Sequence, residues 1–203
     1  MKKKLLPVSV VAIGLTLWGV LWLHKNSDER SRSKTNLLLI TIDTMRADRI
    51  GCYGDAAAHT PAIDALAREG VLFEKAYSPA PLTLPAHCSI MNGRWPTAHG
   101  VRNNVFYALP EDEITLAETL STSGYDTSAF VATYVLKKKF GLGQGFAFFD
   151  DYLGAHAQEW GIEAQITADI LYKRFTDWLQ RPRKDPFFLW VHLYDPHKPY
   201  TPP

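Results

Sequence analysis

Residues 81–93 read Pro-Leu-Thr-Leu-Pro-Ala-His-Cys-Ser-Ile-Met-Asn-Gly and place one hydroxyl where a helix begins. Thr83 is read as the N-cap, Pro85 falls in the first turn, the helix runs to Met91 and Gly93 stops it. A hydroxyl in that place stands beside unpaired helix N–H groups and the positive end of the macrodipole. Such a site suits a tetrahedral oxyanion, sulfate or phosphate. The plainer alternative is a capped helix with no chemistry, since Thr is a common cap. A second candidate is Asp43. It follows Asn-Leu-Leu-Leu-Ile-Thr-Ile at 36–42, an apolar run that suits a strand buried on both faces. Ligand groups of α/β proteins sit just past the carboxyl ends of such strands. Asp43 is therefore either a metal ligand or the cap of a following turn.

The elements that must hold these residues alternate. A helix opens at Thr60-Pro61 and closes at Gly70, with Arg68 in its last turn. Residues 71–77 read as a short strand. Pro110-Glu-Asp-Glu113 begins a helix that ends at Gly124, and 125–132 is a strand. Residues 157–180 carry an apolar stripe at helical spacing, with Ile162, Ile166 and Ile170 four apart. Pro182 ends that helix, and 186–192 is a second buried-strand run followed by Tyr-Asp-Pro-His-Lys-Pro-Tyr. Lys137–Lys139 reads as a solvated loop, and the glycines at 141, 143 and 145 lack the spacing of a dinucleotide fingerprint. Strands alternating with helices predict an α/β fold with a mainly parallel sheet flanked by helices.

The chain has 203 residues, 46% hydrophobic and 21% charged, as globular proteins do. Residues 1–35 hold seven of the 22 Lys/Arg but two of the 21 Asp/Glu, so the remainder is net acidic. Nothing in that balance suggests a nucleic-acid partner, which usually needs a basic face. Cys52 and Cys88 have no metal-ligand spacing and are read as buried free thiols in preference to a pair bridged in an oxidising compartment. Lys2–Lys4 precede the uncharged run 5–23, which spans about 28 Å as a helix, close to a bilayer core. The run has no Ala-x-Ala site and carries Trp18 and Trp22 near its far end. It is read as an uncleaved signal anchor in preference to a cleaved signal. The expected organisation is a cytoplasmic tail at 1–4, a single transmembrane signal anchor at 5–23, a polar linker at 24–35, and a domain at 36–203. The Lys triplet points the main domain to the extracytoplasmic side, although Lys25, Arg30, Arg32 and Lys34 reduce the charge asymmetry.

Three segments in order resemble the sulfatase family of the alkaline phosphatase-like superfamily: NLLLITIDTMRADRIGCYGD with His59-Thr60-Pro61, TLPAHCSIMNGRWPTAHGV, and PFFLWVHLYDPHKPY. The resemblance covers about 36–203 and implies an alkaline phosphatase-like fold, the N-terminal part of the family's domain. It implies a divalent metal, calcium by preference, with manganese, magnesium or zinc as alternatives. Asp43 matches the first metal-ligand position, Thr83 the nucleophile, and His197 a substrate-contacting histidine able to protonate the leaving alcohol. His87 stands where the signature Cys/Ser-x-Pro-x-Arg has arginine and is read as substrate-binding. The departures are Thr83 in place of the formylglycine-forming Cys or Ser, Asp43-Thr44 in place of adjacent aspartates, and no Lys or His after Gly124-Tyr125. A plain threonine resembles the phosphoryl-transferring relatives. The family's remaining metal ligands lie beyond the Asp-Pro-His segment, so the chain is expected to be incomplete or inactive alone. The expected activity is cleavage of a sulfate or phosphate ester of a small molecule, glycan or lipid. The alternatives are a phosphoglycerol-type transferase of the cell envelope and a non-catalytic binding relative.

Overall fold

The computed structural model describes residues 35–155, 161–182 and 186–200. The expected tail, signal anchor and linker therefore lie outside the described residues, apart from Thr35. Among the described residues no helix is long and apolar enough to cross a membrane.

Four strands form one sheet: β1 (Leu37–Ile42), β2 (Asp126–Val131), β3 (Phe148–Asp150) and β4 (Phe187–Leu193). Their order is β1-β4-β2-β3 and every pairing is parallel. Of these four strands, the last in chain order thus lies inside the sheet, between β1 and β2. Its run of large apolar residues suits that position, because a central parallel strand is covered on both faces. Alternation along β4 separates two cores. Phe188 and Trp190 face one side with Leu84, Cys88 and Met91 of the helix Thr83–Asn92. Leu189 and Val191 face the other with Leu171 and Trp178 of the helix Ala168–Leu179. In chain order the helices are α1 (Pro61–Glu69), α2 (Thr83–Asn92), α3 (Pro96–His99), α4 (Leu116–Thr122) and α5 (Ala168–Leu179). Helices on both faces of a parallel sheet are the expected α/β layering.

β1 is an edge strand. Leu38 (56% exposed) and Ile40 (49%) stay in solvent although the strand reads as fully buried.

Several expected elements differ from those observed. Residues 71–77 form no strand; Val71, Phe73 and Tyr77 lie mostly in solvent with no neighbouring strand to pair with. α4 begins after Thr115 and not at Pro110, because Thr115 and Glu118 close a capping box. α5 begins at Ala168, 11 residues later than the apolar period suggests. Gly161–Glu163 is a 3-10 turn and Gln165 pairs with Thr133 in an isolated bridge. β3, three residues long, went unrecognised beside Gly145.

Gly145 shows why this corner tolerates no side chain. Its φ is +79°, and a Cβ there would lie 2.1 Å from the Glu118 amide nitrogen at the start of α4. Gly145→Ala is expected to cost about 2–3 kcal/mol of unfolding free energy, read from urea denaturation at constant m-value.

Candidate active site

Thr83 is the first residue inside α2, not its N-cap. Leu82 takes the extended cap conformation (φ −134°, ψ 140°) and makes no side-chain cap bond. The Thr83 hydroxyl is used elsewhere: Oγ1 donates to Asp43 Oδ2 at 3.0 Å. The expected cluster of free N–H groups at this helix start is also smaller than a bare helix would offer. Pro85 has none, and Leu84 N–H donates to Asn104 Oδ1 at 2.9 Å. Gly93 ends the helix as expected, with φ 69°.

Asp43 follows β1 at the carboxyl end of the sheet, its N–H donating to the Leu193 carbonyl at 2.9 Å. It is 7% exposed. The next residue, Thr44, has φ 52°, an uncommon conformation for a β-branched residue and one that concentrates at functional sites. His192, near the end of β4, places Nε2 3.4 Å from Asp43 Oδ2, within range of charge attraction but off the line of a hydrogen bond. Burial pushes the Asp43 carboxyl up. The His192 imidazole and the Thr83 hydroxyl more than reverse this and hold it below the ordinary carboxylate value. Burial moves His192 the other way, below the ordinary imidazole value, against the pull of Asp43.

His87 lies one turn into α2 beneath Thr83. Its Nδ1 is 2.7 Å from the Thr83 carbonyl oxygen and its Nε2 is 3.2 Å from Thr41 Oγ1. The ring packs edge-on to His192, with centroids 4.9 Å apart, and beside Trp190 at 5.7 Å. Burial lowers its pKa to about 4, with the neighbouring His192 adding to the shift. Cys88, in the same helix, is a buried free thiol pushed up to about 12 by burial, and Cys52 is a half-buried free thiol.

His197 belongs to the segment that follows β4. It stacks on Tyr194 at 4.3 Å, and Tyr194 in turn lies 5.9 Å from His192. Its Nδ1 donates to the Lys198 carbonyl at 2.9 Å, which leaves Nε2 for other work. The neighbouring Asp195 reaches α5, where Oδ1 accepts from Ala168 N–H at 3.0 Å. The structure therefore joins Asp43, Thr83 and His87 through direct bonds. His197 reaches that group only through the ring series 192, 194, 197. Sequence reasoning missed His192, Thr41 and Asn104. His192 carried the same signal as Asp43, a polar residue closing a buried apolar run.

The sulfatase family profile matches residues 35–203. The chain belongs to the sulfatase family. Among curated relatives, human steryl-sulfatase is 32% identical over 133 residues, which are 61% of this chain and 22% of that protein. Bovine arylsulfatase A is 34% identical over 129 residues, 61% of this chain and 24% of the relative. The Delta 4,5-hexuronate-2-O-sulfatase of Bacteroides thetaiotaomicron is 28% identical over 83% of this chain and 35% of its own length. Among solved structures, a 2-O GAG sulfatase superposes with a TM-score of 0.63 at 27% identity, over 81% of this chain and 36% of that one. The phosphonate monoester hydrolase of Agrobacterium radiobacter shares the fold, with a TM-score of 0.68 at 22% identity over 84% and 42%. This sulfatase-family chain thus spans between 22% and 35% of the length of the three curated relatives.

Sulfatases generally use a divalent metal. Asp43 and the Thr83 hydroxyl are hard oxygen donors of the kind such cations accept. Among the described residues, no group of three His, Cys, Asp or Glu side chains comes together to hold an ion. Asp43 therefore fits as one ligand of a shell that the described residues do not complete.

The buried imidazoles set an acid limit. His87 stays neutral in the fold down to about pH 4 but ionises near 6.5 when unfolded. The unfolded chain then binds more protons, so stability is complete above about pH 6.5 and is lost as pH falls toward 4. His87 alone accounts for roughly 3 kcal/mol of that loss. The drop in urea midpoint between pH 7.5 and pH 4.5 is expected to shrink in His87→Asn.

Proposed function

We propose that this protein is an extracytoplasmic, membrane-anchored ester hydrolase that cleaves a sulfate or phosphate ester, with Thr83 as nucleophile. The observation that carries this reading is the Thr83 hydroxyl, held at a helix start and hydrogen-bonded at 3.0 Å to a buried carboxylate in a sulfatase-family chain. With its proton directed at Asp43 Oδ2, Thr83 Oγ1 keeps its lone pairs for attack on sulfur or phosphorus. As Thr83 Oγ1 bonds to sulfur or phosphorus its proton would pass to Asp43 Oδ2, and the bond to the alcohol oxygen would break. The imidazolium form of His197 would deliver its Nε2 proton to that oxygen while Nδ1–H stays on the Lys198 carbonyl, and would take a proton back from the water that hydrolyses the ester. Water then hydrolyses the Thr83 ester and restores the hydroxyl. A divalent cation, calcium by family preference, would be held by Asp43 and would supply Lewis-acid polarisation of the ester oxygens.

Sulfated sugars are the favoured substrate class, because similar curated proteins include an ulvan-active sulfatase and an N-acetylglucosamine-6-O-sulfatase. Threonine at 83 favours a second reading, phospho-group transfer to an envelope acceptor. The anchor is proposed from the uncharged run 5–23.

The test uses the full chain with aryl sulfate and aryl phosphate esters. Turnover is expected to fall at least about 1,000-fold in Thr83→Ala and to be lost in EDTA. Turnover that survives Thr83→Ala would remove Thr83 as nucleophile. An alcohol acceptor that becomes esterified faster than water would establish transfer. Protease added to intact cells is expected to release the domain at 36–203; protection would overturn the outward orientation.

A further inference from the structure

We propose that His87 is a positioning residue whose imidazole ties the backbone of Thr83 to the strand that carries Asp43. This rests on the hydrolase reading above and replaces a direct contact between His87 and substrate.

The direction of each hydrogen bond around His87 follows from its two ends. The Thr83 carbonyl can only accept, so at 2.7 Å His87 Nδ1 carries the hydrogen. Trp190 Nε1 can only donate, and it donates to Thr41 Oγ1 at 3.1 Å. The Thr41 hydroxyl then has its own hydrogen to give, and His87 Nε2, 3.2 Å away, has the lone pair to receive it. The series runs Trp190 N–H to Thr41 O–H to His87 Nε2, and His87 Nδ1–H to the Thr83 carbonyl. Every donor has an acceptor.

Two consequences follow from this order. Both ring nitrogens are consumed and the residue is 6% exposed, so no polar ring atom is left for an ester. The contacts also close on themselves. Thr83 joins His87 through its carbonyl, His87 joins Thr41, Thr41 leads along the chain to Asp43, and Asp43 Oδ2 accepts from the Thr83 hydroxyl. The strand fixes the distance from residue 41 to residue 43, and the helix turn fixes that from 83 to 87. The loop therefore sets the separation of hydroxyl and carboxylate, and Trp190 anchors it to the central strand. Closed, satisfied polar networks of this kind are stiff.

The imidazole signature is read first, on the unmodified full chain at pH 7.5, by long-range proton–nitrogen NMR. A neutral ring with the hydrogen on Nδ1 is expected. A hydrogen on Nε2, or an imidazolium, would overturn the tie whatever the enzyme does. Kinetics then separates positioning from substrate contact. Thr41→Val and His87→Gln are expected to lower kcat with an aryl ester by on the order of 10- to 100-fold, with KM changing less than about twofold. Asparagine at 87 keeps a donor near Nδ1 but cannot reach Thr41. Adding Thr41→Val to His87→Asn should therefore cost less than about twofold more. A KM that rises about tenfold at constant kcat would instead make His87 a substrate contact and sink the proposal. If the protein carried to the length of its curated relatives turns over neither ester, the hydrolase reading fails, while the NMR result still decides the tie.

Discussion

Taking a carboxylate out of water costs several kcal/mol unless neighbouring groups compensate it. Asp43 is nearly enclosed at the end of β1, and the surrounding architecture follows from that requirement. The Thr83 hydroxyl bonds it from α2, and His192 stands against it from β4. The Leu193 carbonyl holds its backbone at the edge of the ladder. Each partner comes from a different segment, 40 and about 150 residues away in sequence. They meet because β4 inserts between β1 and β2 and carries its carboxyl end to the same level as Asp43. A sheet without β4 beside β1 would take His192 and the Leu193 carbonyl away from Asp43 and leave it the Thr83 hydroxyl.

The same strand divides the structural labour. Its odd-numbered residues lock α5 onto one face, and its even-numbered residues bear on α2 across the other. The segment after β4 returns to the first of these layers, since Asp195 caps the start of α5. The ring of His197 thus follows two fixed points in close succession, the last residues of β4 and the bond of Asp195 to a helix N-terminus. Placement of the proposed proton donor depends on a helix on the opposite face from the nucleophile.

Much of this was legible in the sequence where one local rule governs. The apolar runs before Asp43 and before Tyr194 mark parallel strands, of which only β4 is buried on both faces, and Gly93 marks the end of α2. The family motifs brought Thr83 and Asp43 together across 40 residues. Failure came where partners are remote. The period of four through Ile162 and Ile166 suggested a longer α5, but Ile166 N–H donates to the Ala132 carbonyl and the helix starts where Asp195 can cap it. Thr83 reads as a cap because its type favours that role, yet a buried acid offers its hydroxyl a charged acceptor, which is stronger. The Thr115–Glu118 box lies in the sequence just past the acidic run at 111–113, where the helix was expected to begin. His87 occupied an arginine position in the motif, and nothing in the sequence shows that Thr41 and the Thr83 carbonyl use both of its nitrogens.

The neutrality of the two imidazoles bears on the sign of the whole site. With His87 and His192 both uncharged near pH 7, Asp43 is the one charged group of that quartet. The described bonds to these four residues include none from Lys or Arg. A sulfate or phosphate monoester approaching Thr83 therefore meets like charge in a place of low dielectric, where repulsion is strong. Under the proposed hydrolase reading, ester affinity and cation occupancy would be one linked quantity, each raising the other by the same factor. The low charge of the protein scaffold turns substrate binding into a measurement of how much positive charge has been delivered to it.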